Sequence, residues 1–221
     1  MRIIAGMATI PGREQACKEA VASIINQVDE LHVHFNDPND PENDFGDAAK
    51  FKALELCKPG DIYVSLDDDL IYPEYTVVRM VDFILRKNEE LGLTLSTVAA
   101  CYHGRTLANY PASNYYTDRT SVRVRILGSL DAPARVEVPG TGCMAYRVAN
   151  RPFDVMEAFE RKDSADIAIA ALMKEEGIEA WALPHQAGDF RHSPHVATSN
   201  TIWATADRDE ITEYYNRMMK P

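Results

Sequence analysis

Three adjacent aspartates, Asp67, Asp68 and Asp69, follow the apolar run DIYVSL (residues 61–66) and precede LIYP (residues 70–73). Neighbouring like charges repel, so the fold must supply something that offsets them. In an extended chain alternate side chains point the same way. Asp67 and Asp69 can therefore converge on one ion while Asp68 turns elsewhere. Hard carboxylate oxygens suit Mg2+ or Mn2+, and Mg2+ is commonly held by one or two carboxylates plus phosphate oxygens of a substrate. The competing account is a solvated acidic turn whose charge favours the start of the next helix. A calcium loop of the EF-hand kind would need D-x-[DN]-x-[DN]-G, and Ile71 and Tyr72 break that pattern.

A second acidic pair, Asp163 and Asp166, lies in KDSADIAIA (residues 162–170). Three residues apart at a helix start, the two also suit a capping box that satisfies free N–H groups. Of the histidines, His32 and His34 alternate on one strand face, where packing accounts for them. His103 precedes a glycine at a strand end and can line a site. His185, His192 and His195 fall in a polar tail and lack the paired spacing of a helical zinc motif. The Gly140-Thr141-Gly142 turn would let backbone approach a ligand closely. Neither G-x-x-x-x-G-K-[ST] nor G-x-G-x-x-G occurs, so the Walker and Rossmann phosphate loops are excluded.

These groups need elements to position them. The chain has 221 residues, 46% hydrophobic, the size of one α/β domain. Its 34 acidic and 23 basic residues give a net charge of −11, which argues against a dedicated binder of nucleic acid or anionic membrane, although a local basic patch remains compatible. Cys17, Cys57, Cys101 and Cys143 form no C-x-x-C pair and read as small buried residues of a reduced, cytoplasmic protein. No apolar run reaches the roughly 20 residues of a membrane-spanning helix, and the N-terminal run is too short for a signal peptide.

Residues 2–9 read as a buried strand, 14–28 as an amphipathic helix and 30–35 as a second strand, a βαβ unit that builds parallel sheet. A polar loop over 36–47 leads to a helix over 48–57, a strand over 61–66, a helix to about residue 91 and a strand over 94–102. Residues 104–120 read as a loop. Strands are expected at 121–127, 135–138, 143–147 and 178–183, helices at 164–176 and 207–218, and a mobile loop over 184–200. The expected architecture is a mostly parallel central sheet flanked by helices, with the aspartates beyond the carboxyl end of a strand, where open α/β sheets collect ligands. The chain is not split: residues 1–100 and 101–221 are two halves of one domain.

The order MATIPGRE, βαβ unit, GDAAKFKAL, YVSLDDDLIYP, CYHG, VPGTGCMAYR and SADIAIA resembles a GT-A glycosyltransferase of the family 2 type, over most of residues 1–185. The resemblance implies a donor nucleotide-diphosphate sugar, a UDP-sugar foremost, with Mn2+ or Mg2+. It places Thr9 and Arg13 at the base and ribose, and Asn36 and Asp37 at the base-contacting end of the second strand. Asp47 and Lys50 lie along the nucleotide. Asp67 and Asp69 match the ribose- and metal-contacting aspartates, with Asp68 beside them. It implies a catalytic base at the helix start that takes the acceptor hydroxyl's proton, matched by Asp166 or Asp163. The usual Glu-Asp pair is absent there, and Asp166 is favoured. His103 and Gly142 fall on the sugar side, and His192, beside Arg191, is the tail residue matched to a third metal ligand or a diphosphate contact. The expected activity is sugar transfer to an unspecified hydroxyl acceptor, with inversion. The other classes are a nucleotidyltransferase, for which MATIPGRE lacks a basic, glycine-rich phosphate loop, and a non-catalytic sugar-nucleotide-binding protein of the same fold.

Overall fold

Apolar runs become strands that alternate their side chains between two helical layers. In the computed structural model, residues 1–92, 98–118, 120–149, 159, 161–196 and 207–220 are described. The elements run β1 (Ile3–Thr9), α1 (Glu14–Ile24), β2 (Glu30–Phe35), a 3-10 segment (Gly46–Leu56), β3 (Ile62–Asp67), β4 (Leu70–Ile71), α2 (Thr76–Glu90), β5 (Val98–Cys101), β6 (Gly104–Leu107), β7 (Thr120–Val124), β8 (Ala134–Val136), β9 (Val138–Pro139), β10 (Cys143–Arg147), α3 (Ala165–Glu175), β11 (Glu179–Ala182), β12 (Arg191–His192) and α4 (Arg208–Met218).

The central sheet has seven strands in the order β2-β1-β3-β10-β5-β11-β8. Five of them, β2, β1, β3, β5 and β11, run one way, and β10 and β8 run against them. It is a mixed, mostly parallel α/β sheet. Ala5, Met7, Val64 and Leu66 face α1 and α2 on one side, while Ile4, Tyr63, Tyr146 and Met144 face the 3-10 segment and α3 on the other. The larger aliphatic side chains among them, such as Ile4, Leu66 and Met144, contribute about 1.5–3 kcal/mol each when fully buried. A smaller cluster packs α4 onto α3 through Tyr115, Ile167, Ile211 and Tyr215. All four cysteines are buried and free of disulfides. No helix among the described residues is long and apolar enough to cross a membrane.

Several expectations change. The helix expected over 48–57 is a 3-10 segment, because Ala48, Ala49, Lys50, Phe51, Ala53 and Leu54 are all buried and do not fit one α-helical face. The loop expected over 104–120 begins with β6, held by long-range pairing with β7 and β9 that Gly-Arg-Thr-Leu does not announce locally. The strand expected over 94–102 is described from Val98 onward, with 94–97 outside the described residues. The stretch expected as a mobile loop, described up to residue 196, packs down: His185 and Phe190 are buried, and β12 pairs with β4.

Candidate active site

Because β1, β2, β3 and β5 are parallel, their carboxyl ends lie on one edge of the sheet. That edge carries Thr9, Asn36, Asp67 and, past Cys101, His103. The antiparallel β10 starts on the same edge, with Cys143 opposite Leu66, so the Gly140–Gly142 turn arrives beside the aspartates. A cavity of about 900 Å3 opens there. Its wall includes Thr9, Arg13, Asn36, Asp47 and Lys50 from the first half, all three aspartates, and His103, Gly142, Asp163, Asp166 and His192 from the second. Asp37 is not in that wall; its carboxylate closes a local turn by accepting the Asn39 N–H. His195 bonds to Glu19 instead, and the His185 ring is buried against the carbonyls of Leu183 and Arg125.

The three aspartates have different partners. Asp68 is buried, accepting the Thr9 hydroxyl at 2.6 Å and pairing with Arg13 at 2.8 Å. Asp67 pairs through Oδ1 with the buried Lys50 ammonium, 2.5 Å away, while 42% of its side chain stays open. Burial pushes the Asp67 carboxyl up, but Lys50 outweighs it and holds the group below its usual range. Burial likewise pulls Lys50 down, and Asp67 and Asp47 more than offset it. Gly6 allows this arrangement: the Lys50 carbonyl lies where any Cβ on β1 would be, so only glycine lets the 3-10 segment come close enough to send Lys50 inward.

Asp69 is the exception. Among the described residues no hydrogen bond reaches its carboxylate, and the basic side-chain nitrogen within 4 Å of it is His192 Nδ1, at 3.9 Å. Burial, followed by repulsion from Asp67, pushes its carboxyl up to about 6. The Tyr72 side chain braces the turn: its Oη accepts the Asp67 N–H at 2.8 Å and lies within 2.9 Å of the carbonyls of Asp67 and Gly142. Ser193 N–H donates to the Asp69 carbonyl at 2.8 Å, tying the turn to the strand pair of β4 and β12. A Cβ at Gly142 would overlap Asp67 Oδ2.

Across the cavity Asp166, in the first turn of α3, accepts both the N–H and the hydroxyl of Thr141 on Oδ1, at 2.8 and 2.7 Å. Asp163 and Asp166 do not form the capping box their spacing suggests. Ser164, the N-cap, makes no side-chain cap bond, and the helix N-terminus is capped from a distance by Asp47, which accepts the Ala165 N–H at 3.1 Å. Asp163 has φ 59°, in the left-handed region that non-glycine residues rarely occupy. Burial, helped by Asp166 and Asp163, pushes the Asp47 carboxyl up to about 7 despite Lys50. His103 lies between the two acidic sides. Burial pulls its imidazole down, against the pull of Asp166 and Asp67, and Arg105 and Arg123 add to the lowering.

Asn36 braces the loop, donating to the Gly46 carbonyl and accepting the Phe45 N–H. The sequence reading passed over Thr141 as a side chain, and also Arg105, Tyr115, Tyr116, Arg123 and Arg125, which line the cavity's far wall. The alternation in SVRVRIL was a usable signal: with Val122 and Val124 on one face, Arg123 and Arg125 share the other.

The family implied by the resemblance uses a divalent cation, and the donor set can be tested against one. Among the described residues no three of His, Cys, Asp and Glu converge to hold a metal by themselves. Two carboxylates, one of them partly buried and without a hydrogen bond among the described residues, suit a hard ion whose remaining ligands are phosphate and water oxygens. Asp67, which already holds a cation on one oxygen, and Asp69 fit that role. No family model and no curated protein matches this chain. Among solved structures, the crystal structure of A197 from STIV is similar over 87% of this chain and 84% of that one, with 14% sequence identity and a TM-score of 0.44.

Proposed function

We propose that the chain is a metal-dependent glycosyltransferase that moves a sugar from a nucleotide-diphosphate sugar to an acceptor hydroxyl, with inversion. The observation that carries this reading is the partly buried Asp69 carboxylate, without a hydrogen bond among the described residues, on the same cavity as Asp67 and Asp166. Mg2+ or Mn2+ held by Asp67 and Asp69 would stabilise the negative charge that develops on the departing nucleoside diphosphate.

The chain's own groups supply the rest. Lys50 and Arg13 hold Asp67 and Asp68 in place from the nucleotide side. Thr141 fixes Asp166 through Oδ1, leaving Oδ2 as the base. The acceptor hydroxyl gives its proton to Oδ2 as its oxygen bonds to the sugar's anomeric carbon and the bond from that carbon to the diphosphate oxygen breaks. Such a positioned base is worth about 10² to 10⁴ in rate. His103, kept neutral by burial, adds no charge between the two acidic sides.

A thermal-shift screen of nucleoside diphosphates with and without Mn2+ tests the reading. UDP with Mn2+ should raise the midpoint more than either alone, since a ligand stabilises in proportion to the logarithm of its excess over Kd. If no nucleoside diphosphate with Mn2+ moves the midpoint, the reading fails. Slow Mn2+-dependent hydrolysis of the sugar nucleotide would separate an enzyme from a binding protein of the same fold.

A further inference from the structure

The cations of the cavity fall into two groups. Arg13, Lys50 and Lys162 pair with Asp68, Asp67 and Asp44. Arg105, Arg123 and Arg125 have no carboxylate partner among the described residues, in a chain with a net charge of −11. They are nevertheless held together. Arg105 on β6 and Arg123 on β7 are direct cross-strand partners, and Arg125 follows two residues later on the same face of the chain. Like charges directly opposite destabilise a strand pair. Burial, then Arg105 and Arg125, pull the Arg123 guanidinium below its ordinary value.

Arg105 is the built part of this wall. It is only 8% exposed. One Nη donates to the Tyr115 carbonyl at 3.1 Å, and its guanidinium lies 4.5 Å from the Tyr115 ring centre and 5.6 Å from that of Tyr116. A stacked, fixed guanidinium presents its fork with little entropy left to lose, and that fork matches phosphate and carboxylate oxygens. The wall lies on the His103 side of the cavity, close enough for Arg105 and Arg123 to lower that imidazole. Arg13 and Lys50, by contrast, already have carboxylate partners.

We propose that Arg105, Arg123 and Arg125 form an anion subsite, and that the acceptor is a small sugar bearing a phosphate or carboxylate group. Calling this ligand the acceptor rests on the glycosyltransferase reading; the anion subsite itself does not. The recess of about 900 Å3 is of the size that encloses small molecules. The strongly acidic remainder of the chain opposes a long polyanion.

The test is calorimetric titration of the full chain in EDTA with a hexose phosphate, a hexuronic acid and the neutral hexose. A single-stranded oligonucleotide forms a fourth arm. The comparison is with the double variant Arg123→Gln/Arg125→Gln, whose two sites are exposed; an unchanged thermal midpoint verifies its fold. One charged sugar should bind where the neutral hexose does not, and the double variant should weaken it by roughly tenfold or more, the scale of one lost charge-assisted contact. In separate titrations without EDTA, UDP with Mn2+ should bind wild type and double variant alike. Charged sugars that bind no better than the neutral one, or equally well to the double variant, would overturn the subsite. Tighter, arginine-dependent binding of the oligonucleotide would overturn the small-acceptor assignment. If UDP with Mn2+ fails to bind while arginine-dependent sugar binding persists, the glycosyltransferase reading falls and the anion subsite stands.

Discussion

The Asp47 carboxylate accepts the backbone N–H of Ala165 at 3.1 Å, across 118 positions of chain. One side chain thereby ties the 3-10 segment that carries Lys50 to the helix that carries Asp166. Both sides of the cavity share this fastening.

Asp47 makes stability fall as pH rises. The folded protein keeps the Asp47 proton to about pH 7, whereas the unfolded chain releases it near the ordinary aspartate value of 3.8. The folded state thus binds more protons in that window, and unfolding gains as pH climbs through it. Asp47→Asn retains an amide oxygen for the cap and removes the titration. The variant should gain on wild type between pH 4 and pH 7 by about 1–2 kcal/mol, discounted for partial exposure, in denaturant melts at both pH values. Asp47→Ala should lose about 1 kcal/mol by removing the cap.

Asp69→Asn should abolish the added thermal stability from Mn2+ with UDP while leaving the metal-free midpoint equal to or above wild type at neutral pH. The carboxylate is partly desolvated and repelled by Asp67, so neutralising it relieves a cost. A metal-dependent shift of wild-type size in this variant would remove Asp69 from the metal site.

Asp166→Asn should keep donor binding and lose about 10² to 10⁴ in turnover, because Thr141 can still hold the amide oxygen in place. Direct measurement of UDP affinity beside product formation checks both halves. Turnover equal to wild type would exclude Asp166 as the base.

Gly142→Ala places a methyl group where the Asp67 carboxylate now stands. The expected result is a folded protein with donor affinity reduced by roughly tenfold or more, the scale of a 1.4 kcal/mol loss. Calorimetry with UDP and Mn2+ measures it.

Glu19 accepts the Ser193 hydroxyl at 2.7 Å and pairs with His195 at 3.3 Å. Glu19→Ala should free residues 191–196 to open more often, by about tenfold if one hydrogen bond to a charged group is lost. Hydrogen exchange at the Ser193 amide, which bonds to the Asp69 carbonyl, reports the opening.

Much of the scaffold was legible because its signals are local. The apolar runs ending at Thr9, Phe35 and Leu66, and the three-and-four spacing of Cys17, Ala20 and Ile24, specify strand and helix without reference to the rest. The same edge logic placed Asp67–Asp69 and His103 on one cavity. What escaped depends on distant chain. β6 is a strand only because β7 and β9 lie beside it. Asp47 caps a helix that begins more than a hundred residues later. Arg105 faces Arg123 only through a pairing that the residues between them do not encode. His185 looked polar and mobile, yet Tyr102 and Phe190 pack around its ring.

β10 lies antiparallel to β3, with Cys143 opposite Leu66. Side chains on a strand change faces at every residue. A slip of one position in that ladder would therefore carry Gly142 off Asp67 and turn neighbouring side chains inside out at the same moment. The working geometry is consequently all-or-nothing: inheritance can lengthen or shorten chain elsewhere, but this seam tolerates no insertion or deletion.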